Sequence, residues 1–161
     1  AAALDADSCE IYSDVDGIYT ADPRLVSGAK KLERIDYVDM LLLARGGSQV
    51  LHSRAVEAAM KYGIVIHALS SFEKSGGTLV AGIDDKSCLP PVCGLTHDRT
   101  EHKISIVGHG VNAGTEARAL SVLSDEGIAV LGTAFSSGLL CIWLDKEAVI
   151  PAMRLLHWKL I

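Results

Sequence analysis

A short β-prone run, Cys9-Glu10-Ile11-Tyr12, gives way at once to Ser13-Asp14-Val15-Asp16-Gly17-Ile18-Tyr19-Thr20-Ala21-Asp22-Pro23-Arg24. No other segment constrains the chain as much. Asp, Gly and Pro at these spacings stop a strand and force a long loop that leaves its end. Loops at strand ends are where α/β sheets bind ligands. Gly17 suits a tight turn with positive φ. Asp14 is the type of residue that accepts a hydrogen bond from a ribose or an amine, and Arg24 the type that grips phosphate oxygens with a two-pronged fork. The same residues also read as an acidic, solvated loop with a proline-stiffened exit, and the residues alone leave both readings open. Calcium is set aside, because the rest of an EF-hand loop and its bidentate Glu are missing around Asp14 and Asp16.

The flanking pattern alternates strands and helices. Ala1–Leu4 reads as the tail of a helix. Tyr37–Arg45 places Tyr37, Met40, Leu41 and Ala44 at helical spacing, and Val50–Tyr62 does so with Val50, Leu51, Ala55, Ala58 and Ala59. Gly63 is a helix stop. Ile64–Leu69 is a continuous apolar run, the pattern of a strand covered on both faces of a parallel sheet. Residues 81–91 carry Gly82, Asp84, Asp85, Pro90 and Pro91, a linker composition. The expected division is therefore residues 1–80, a linker at 81–91, and a second unit at 92–161.

The second unit predicts strands at Lys103–Val107, Ile128–Leu131 and Leu139–Leu144. Helices are expected at Ala113–Glu126, with Ala117, Leu120, Val122 and Leu123 inward, and at Glu147–Leu156. Strand-helix-strand-strand-helix is a ferredoxin-like βαββαβ order without its last strand. The sheet edge left open would take Val92–Thr96 or a partner chain. There is no internal repeat.

Composition narrows the partners. A formal charge of −5 over 161 residues argues against nucleic acid or an anionic membrane. No apolar run approaches a bilayer span and no signal peptide is visible, so a cytoplasmic location is expected. The four cysteines are irregularly spaced and do not form a disulfide framework. Cys9 and Cys141 read as thiols buried in strands, and Trp143 and Trp158 as core or interface residues. Cys88, Cys93 and His97 lack both zinc-knuckle spacing and a fourth ligand, so no metal site is expected. Of the other histidines, His52, His102, His109 and His157 are scattered and suggest no nucleophile–base set, and no catalytic residue is assigned.

The loop at Ser13–Arg24 closely resembles the nucleotide-binding segment of aspartokinases. The likeness continues through Lys30-Lys31-Leu32, Ile35–Leu41, Gln49–Glu57, Ser70-Ser71-Phe72, Gly76–Val80 and Gly94–Glu101, in the family's order. It implies an α/β fold, the C-terminal portion of an amino-acid-kinase domain followed by a ferredoxin-like ACT-type α+β domain. The family reaction is transfer of the ATP γ-phosphoryl group to the aspartate β-carboxylate, with ATP and Mg2+, in lysine, threonine and methionine synthesis. By resemblance the nucleotide residues are Ser13, Asp14, Tyr19, Thr20, Ala21, Asp22, Pro23, Arg24 and Gln49. Gln49 stands where the family usually has a Lys, and a neutral amide cannot offset phosphate charge. Ser53 replaces a family Pro, and His67 and Leu69 stand where basic residues are common. The family's N-terminal Lys and Gly-rich phosphate loop, and its Gly-Gly-Ser aspartate segment, are not among these residues; Gly46-Gly47-Ser48 lies elsewhere in the order. The expectation is a chain incomplete for catalysis on its own.

Gly108–Gly114 carries glycines near dinucleotide-fingerprint spacing, but residues 128–133 offer no acidic partner for a ribose. In ACT domains this loop faces an amino-acid effector, and amides opening the next helix suit a carboxylate while Asn112 suits an ammonium. By resemblance the effector residues are Gly110, Val111, Asn112, Ala113, Gly114, Ala129, Val130, Ser136 and Ser137. The family usually has Asn where Ala129 stands and Glu where Ser137 stands. Only one ACT unit is recognisable where the family carries two. The partners implied are a second copy of the chain through the ACT-like unit, or a full-length kinase chain. The competing expectation is a non-catalytic regulatory or assembly subunit that senses an amino acid.

Overall fold

A computed structural model describes residues 1–74 and 76–161. Two four-stranded sheets lie in sequence along the chain. The first contains β1 (Ser8–Ser13), β2 (Arg34–Asp36), β3 (Val65–Ser70) and β4 (Thr78–Ala81), in the order β1-β3-β4-β2. Its helices are α1 (Tyr37–Arg45) and α2 (Ser53–Tyr62). The second contains β5 (Gly94–Asp98), β6 (Lys103–Val107), β7 (Val130–Ser136) and β8 (Leu139–Leu144), in the order β5-β6-β8-β7, with α3 (Ala113–Asp125) and α4 (Val149–Leu160).

Local chemistry explains the element ends. Asp36 caps α1 by accepting from the Val38 amide, so the helix begins at Tyr37. His52 caps α2 through its ring nitrogen, which starts that helix at Ser53 rather than at Val50. Leu51 is buried all the same, and Gly63 closes α2 at φ 68°. Ala2–Leu4 form a 3-10 turn with no side-chain cap, and Leu4 is exposed. In α3 the buried residues are Ala119 and Leu123, while Ala117 is exposed. Residues 146–148 form a 3-10 turn, and α4 follows it to Leu160.

β3 departs from the sequence expectation. It pairs parallel with β1 but antiparallel with β4, and its residues alternate between buried and half-buried. The antiparallel partner, β4, is a short strand that returns directly after Gly76-Gly77. β5 pairs antiparallel with β6 from Gly94–Val107 to Asp98–Lys103. It thereby occupies the sheet edge that the βαββα order leaves open, as the Val92–Thr96 expectation proposed. Cys141 is buried and Cys9 half-buried, both unpaired thiols. Trp158 lies outside the core, 74% exposed.

The two cores exchange residues. Ala21 and Val26, from the loop between β1 and β2, are buried with Leu95, Ala152, Met153 and Leu156. Cys93 and Val107 are buried with Met40 and Leu43 of α1. The β1–β2 loop thus contributes to both cores, Ile18 to the first and Ala21 and Val26 to the second. Ile142, fully buried on β8, tests that second core. Ile142→Ala should cost about 2–5 kcal/mol, read as a lowered denaturation midpoint at unchanged slope.

Candidate functional site

The β1–β2 loop is an ordered excursion. Its base is a small antiparallel ribbon: Thr20 N–H donates to the Lys30 carbonyl at 2.9 Å and Leu32 N–H to the Ile18 carbonyl at 2.8 Å. The fully buried Thr78 hydroxyl fastens this base to β4, accepting from Ile18 N–H at 2.9 Å and donating to the Leu32 carbonyl at 2.6 Å. Gly17 sits beside it at φ 144°, and a Cβ there would lie 2.7 Å from that hydroxyl oxygen. Both the conformation and the contact require glycine. The tip turns at Asp22-Pro23-Arg24, where the Asp22 carbonyl accepts from Leu25 and Val26 and its carboxylate accepts from Arg24 N–H.

This loop forms one wall of an open cleft of about 980 Å³. Gly47–Val50, just beyond α1, form the floor, and His97–Thr100, at the turn after β5, form the opposite wall. Gly47 brings floor and wall together: at φ 118°, its Cβ would be 2.4 Å from the His97 carbonyl oxygen. Of the nucleotide residues expected by resemblance, Ser13, Asp14, Tyr19, Ala21, Asp22, Pro23, Arg24 and Gln49 all line this cleft. Thr20 does not. It is buried behind the wall, with its hydroxyl against His157. Sequence reasoning missed His97, Asp98, Arg99 and Thr100 as lining residues. Nothing in their local pattern announces that β5 will cross the mouth of a loop some seventy residues earlier in the chain.

The cleft is acidic. Asp14, Asp16, Asp22, Glu73 and Asp98 line it, against Arg24 and Arg99. Lys31 holds the Asp16 carboxyl below its usual pKa, with help from Tyr19, whose hydroxyl donates to it at 2.9 Å. Arg24 does the same for Asp22 through two contacts, 3.0 and 2.9 Å, so its fork is engaged with a carboxylate inside the chain. The Thr100 hydroxyl lowers Asp98. These three carboxylates are thus ionised at neutral pH. Gln49 is exposed at the floor and brings no charge.

The expected effector residues divide into two places. Gly110–Gly114 lead into α3, and the β7–β8 turn that holds Ser136 and Ser137 reaches them through Gly108 N–H, which donates to the Gly138 carbonyl at 3.0 Å. Ala129 and Val130 lie at the other end of β7, where Val130 pairs with Leu144. The Asn112 side-chain oxygen already accepts from the Gly114 and Thr115 amides, and its amide donates to the Gly110 carbonyl. It acts as the cap of α3, with its oxygen committed to the helix. Among the described residues, no group of three or more His, Cys, Asp or Glu side chains could hold a metal ion. Cys88 is exposed, while burial pushes the Cys93 thiol upward.

Residues 1–70 match the model of the amino acid kinase family. The aspartokinase of Corynebacterium glutamicum is 42% identical over 132 residues, which are 81% of this chain and 31% of that protein. The aspartate kinase of Pseudomonas fluorescens is 43% identical over 132 residues, 81% of this chain and 32% of that protein. This chain belongs to the aspartokinase family. It spans about a third of the length of the curated relatives it matches. Escherichia coli aspartokinase III, solved with aspartate and ADP, superposes with TM-score 0.57 at 30% identity over 89% of this chain and 32% of that one. The Clostridium acetobutylicum aspartate kinase superposes with TM-score 0.85 over 99% of this chain and 56% of that one, at 16% identity, a likeness of fold alone. In this aspartokinase-family chain no helix among the described residues is long and apolar enough to cross a membrane.

Two histidines of the site make stability depend on pH. Burial, more than the nearby Arg99, lowers the His97 pKa, and burial, more than the nearby Lys30, lowers that of His157. The folded state refuses protons that the unfolded chain accepts. Their contribution is complete above the unfolded imidazole value, about pH 6.5, and is lost as pH falls toward the depressed native values. Asp39, raised by burial, has the opposite sign and loses stability as pH rises. His157→Gln removes one histidine contribution while Asp39 stays constant. The variant should therefore lose less stability than the parent between about pH 7.5 and about pH 5.5 in denaturant titrations. Equal losses would refute the assignment to His157. Gly17→Ala should lower the denaturation midpoint, at a cost of about 1–3 kcal/mol for the forced positive φ.

Proposed function

We propose that this chain supplies the nucleoside-facing part of an aspartokinase ATP site, followed by an ACT-type regulatory unit. Residues 1–80 are read as the kinase-derived part, 81–91 as the linker and 92–161 as the ACT-like part. The observation that carries the reading is the cleft, where Ser13, Asp14, Tyr19, Asp22, Arg24 and Gln49 converge from two separate segments. The ligand is ATP with Mg2+, and the family reaction is phosphoryl transfer to the aspartate β-carboxylate. Such transfer depends on positioning and on stabilising charge at the phosphates. Here the cleft is acidic, the Arg24 fork is engaged with Asp22, and Gln49 is neutral. The chain therefore binds the nucleoside end and relies on another segment or chain for the phosphate cradle and for aspartate.

The second reading, a regulatory or assembly subunit that pairs with a kinase chain or with its own copy, has support of its own. β7 is the edge strand of the second sheet, and it exposes Leu131 and Phe135 beside unpaired backbone groups. An amino-acid effector at the Gly110–Gly114 loop and the Ser136-Ser137 turn belongs to this reading. Its ammonium would need an acceptor other than the committed Asn112 oxygen.

Titration calorimetry with Mg-ADP and Mg-ATP tests the first reading. Saturable binding is expected, weakened about tenfold in Asp14→Ala by loss of a charged acceptor. No saturable heat up to millimolar nucleotide contradicts it. Gln49→Lys should tighten Mg-ATP about fivefold, the effect of one added cation worth roughly 1 kcal/mol at a solvated cleft, and the gain should shrink with salt.

A further inference from the structure

α4 reaches the back of the cleft's loop wall. His157, 5% exposed, lies with Nε2 2.8 Å from the Thr20 hydroxyl oxygen, and Thr20 is itself 4% exposed. The two residues are 137 positions apart. Thr20 uses every polar group it has. Its N–H donates to the Lys30 carbonyl, its carbonyl accepts from Leu95 N–H at 2.7 Å, and its hydroxyl oxygen accepts from Lys30 N–H at 2.9 Å. The hydroxyl proton therefore needs an acceptor, and the acceptor within reach is a neutral imidazole nitrogen. One turn earlier on α4, Arg154 Nε–H donates to the Leu25 carbonyl at 2.7 Å, at the other end of the loop tip. Between these two contacts Ala21 and Val26 are buried against Ala152, Met153 and Leu156.

We propose that His157 is a positioning residue of the cleft: through neutral Nε2 it fixes the Thr20 hydroxyl, and with Arg154 it makes α4 the brace that sets the geometry of the Tyr19–Arg24 wall. The inference rests on the nucleotide reading above and adds to it a physical route by which the second unit acts on that wall. Thr20 lies between Tyr19 and Ala21, both of which line the cleft. A shift of α4 moves Thr20 directly, because its other bonds, to Lys30 and Leu95, belong to segments that α4 also covers. The route needs a contiguous set of bonds and packed side chains, and this one is complete from helix to cleft.

The test uses the full chain with four variants. His157→Leu removes the acceptor and Thr20→Val removes the hydroxyl; His157→Gln and Thr20→Ser keep a hydrogen-bonding atom in each place. Two quantities are read: the Mg-ADP dissociation constant, and hydrogen exchange at the Thr20, Leu25 and Val26 amides, all of which are bonded within the loop. His157→Leu and Thr20→Val should each weaken Mg-ADP about tenfold and speed exchange at these amides. The double variant should be no worse than either single one, and the Gln and Ser variants should stay within about twofold of the parent. Parent-like binding and exchange in both apolar variants overturns the inference while leaving the nucleotide reading intact. If the parent itself does not bind Mg-ADP, the nucleotide reading fails, and exchange alone decides the brace: acceleration confined to the loop and reversed by Gln sustains it, and no acceleration overturns it. Should His157→Leu fail to fold, Thr20→Val, which removes a single hydroxyl, decides in its place.

Discussion

Two threonine hydroxyls hold the β1–β2 loop, one at each side, and everything else at the cleft depends on them. Thr78 ties the base of the loop to β4 by bonding both Ile18 and Leu32. Thr20 ties its middle to Lys30 and, across the molecule, to His157. A loop of this length without such ties would stay mobile, because ordering each residue costs about 1–2 kcal/mol of backbone entropy. The buried hydroxyls and the shared burial of Ala21 and Val26 offset that cost. The result is a fixed wall of carboxylates and tyrosine facing a floor at Gly47–Val50.

That arrangement joins residues of two sheets in the lining of one cleft. β5 begins the second sheet, yet Leu95 bonds to Thr20, and its turn residues close the cleft. In the proposed site a nucleotide would therefore meet residues of both sheets. Under the brace proposed above, a change in α4 reaches the loop through hydrogen bonds and packed side chains.

Much of the fold was legible where local chemistry acts alone. The apolar spacing of Tyr37–Arg45 marks α1, Gly63 marks the end of α2, and the apolar runs at Lys103–Val107 and Leu139–Leu144 mark β6 and β8. β2 and β4 were not legible as strands, since three or four residues carry no periodicity and depend on pairing with each other. β3, expected to be buried on both faces, is fully buried on one face and half-buried on the other. At the site, the loop residues announced themselves through turn chemistry. The opposite wall at His97–Thr100 and the brace at His157 did not, because their roles arise only when distant segments meet. Asn112 is the reverse case: its type suits a ligand and a helix cap equally, and the geometry commits it to the cap.

The proposed site requires the Ser13–Arg24 loop and the Gly47–Val50 floor to act as one nucleotide surface. Backbone amide chemical shifts recorded during a Mg-ADP titration test it most directly. Saturable shifts are expected at Ser13, Asp14, Tyr19, Arg24 and Gln49, with a second group at His97–Thr100 across the cleft. Shifts confined to the Gly110–Gly114 loop, or none at millimolar nucleotide, would contradict it.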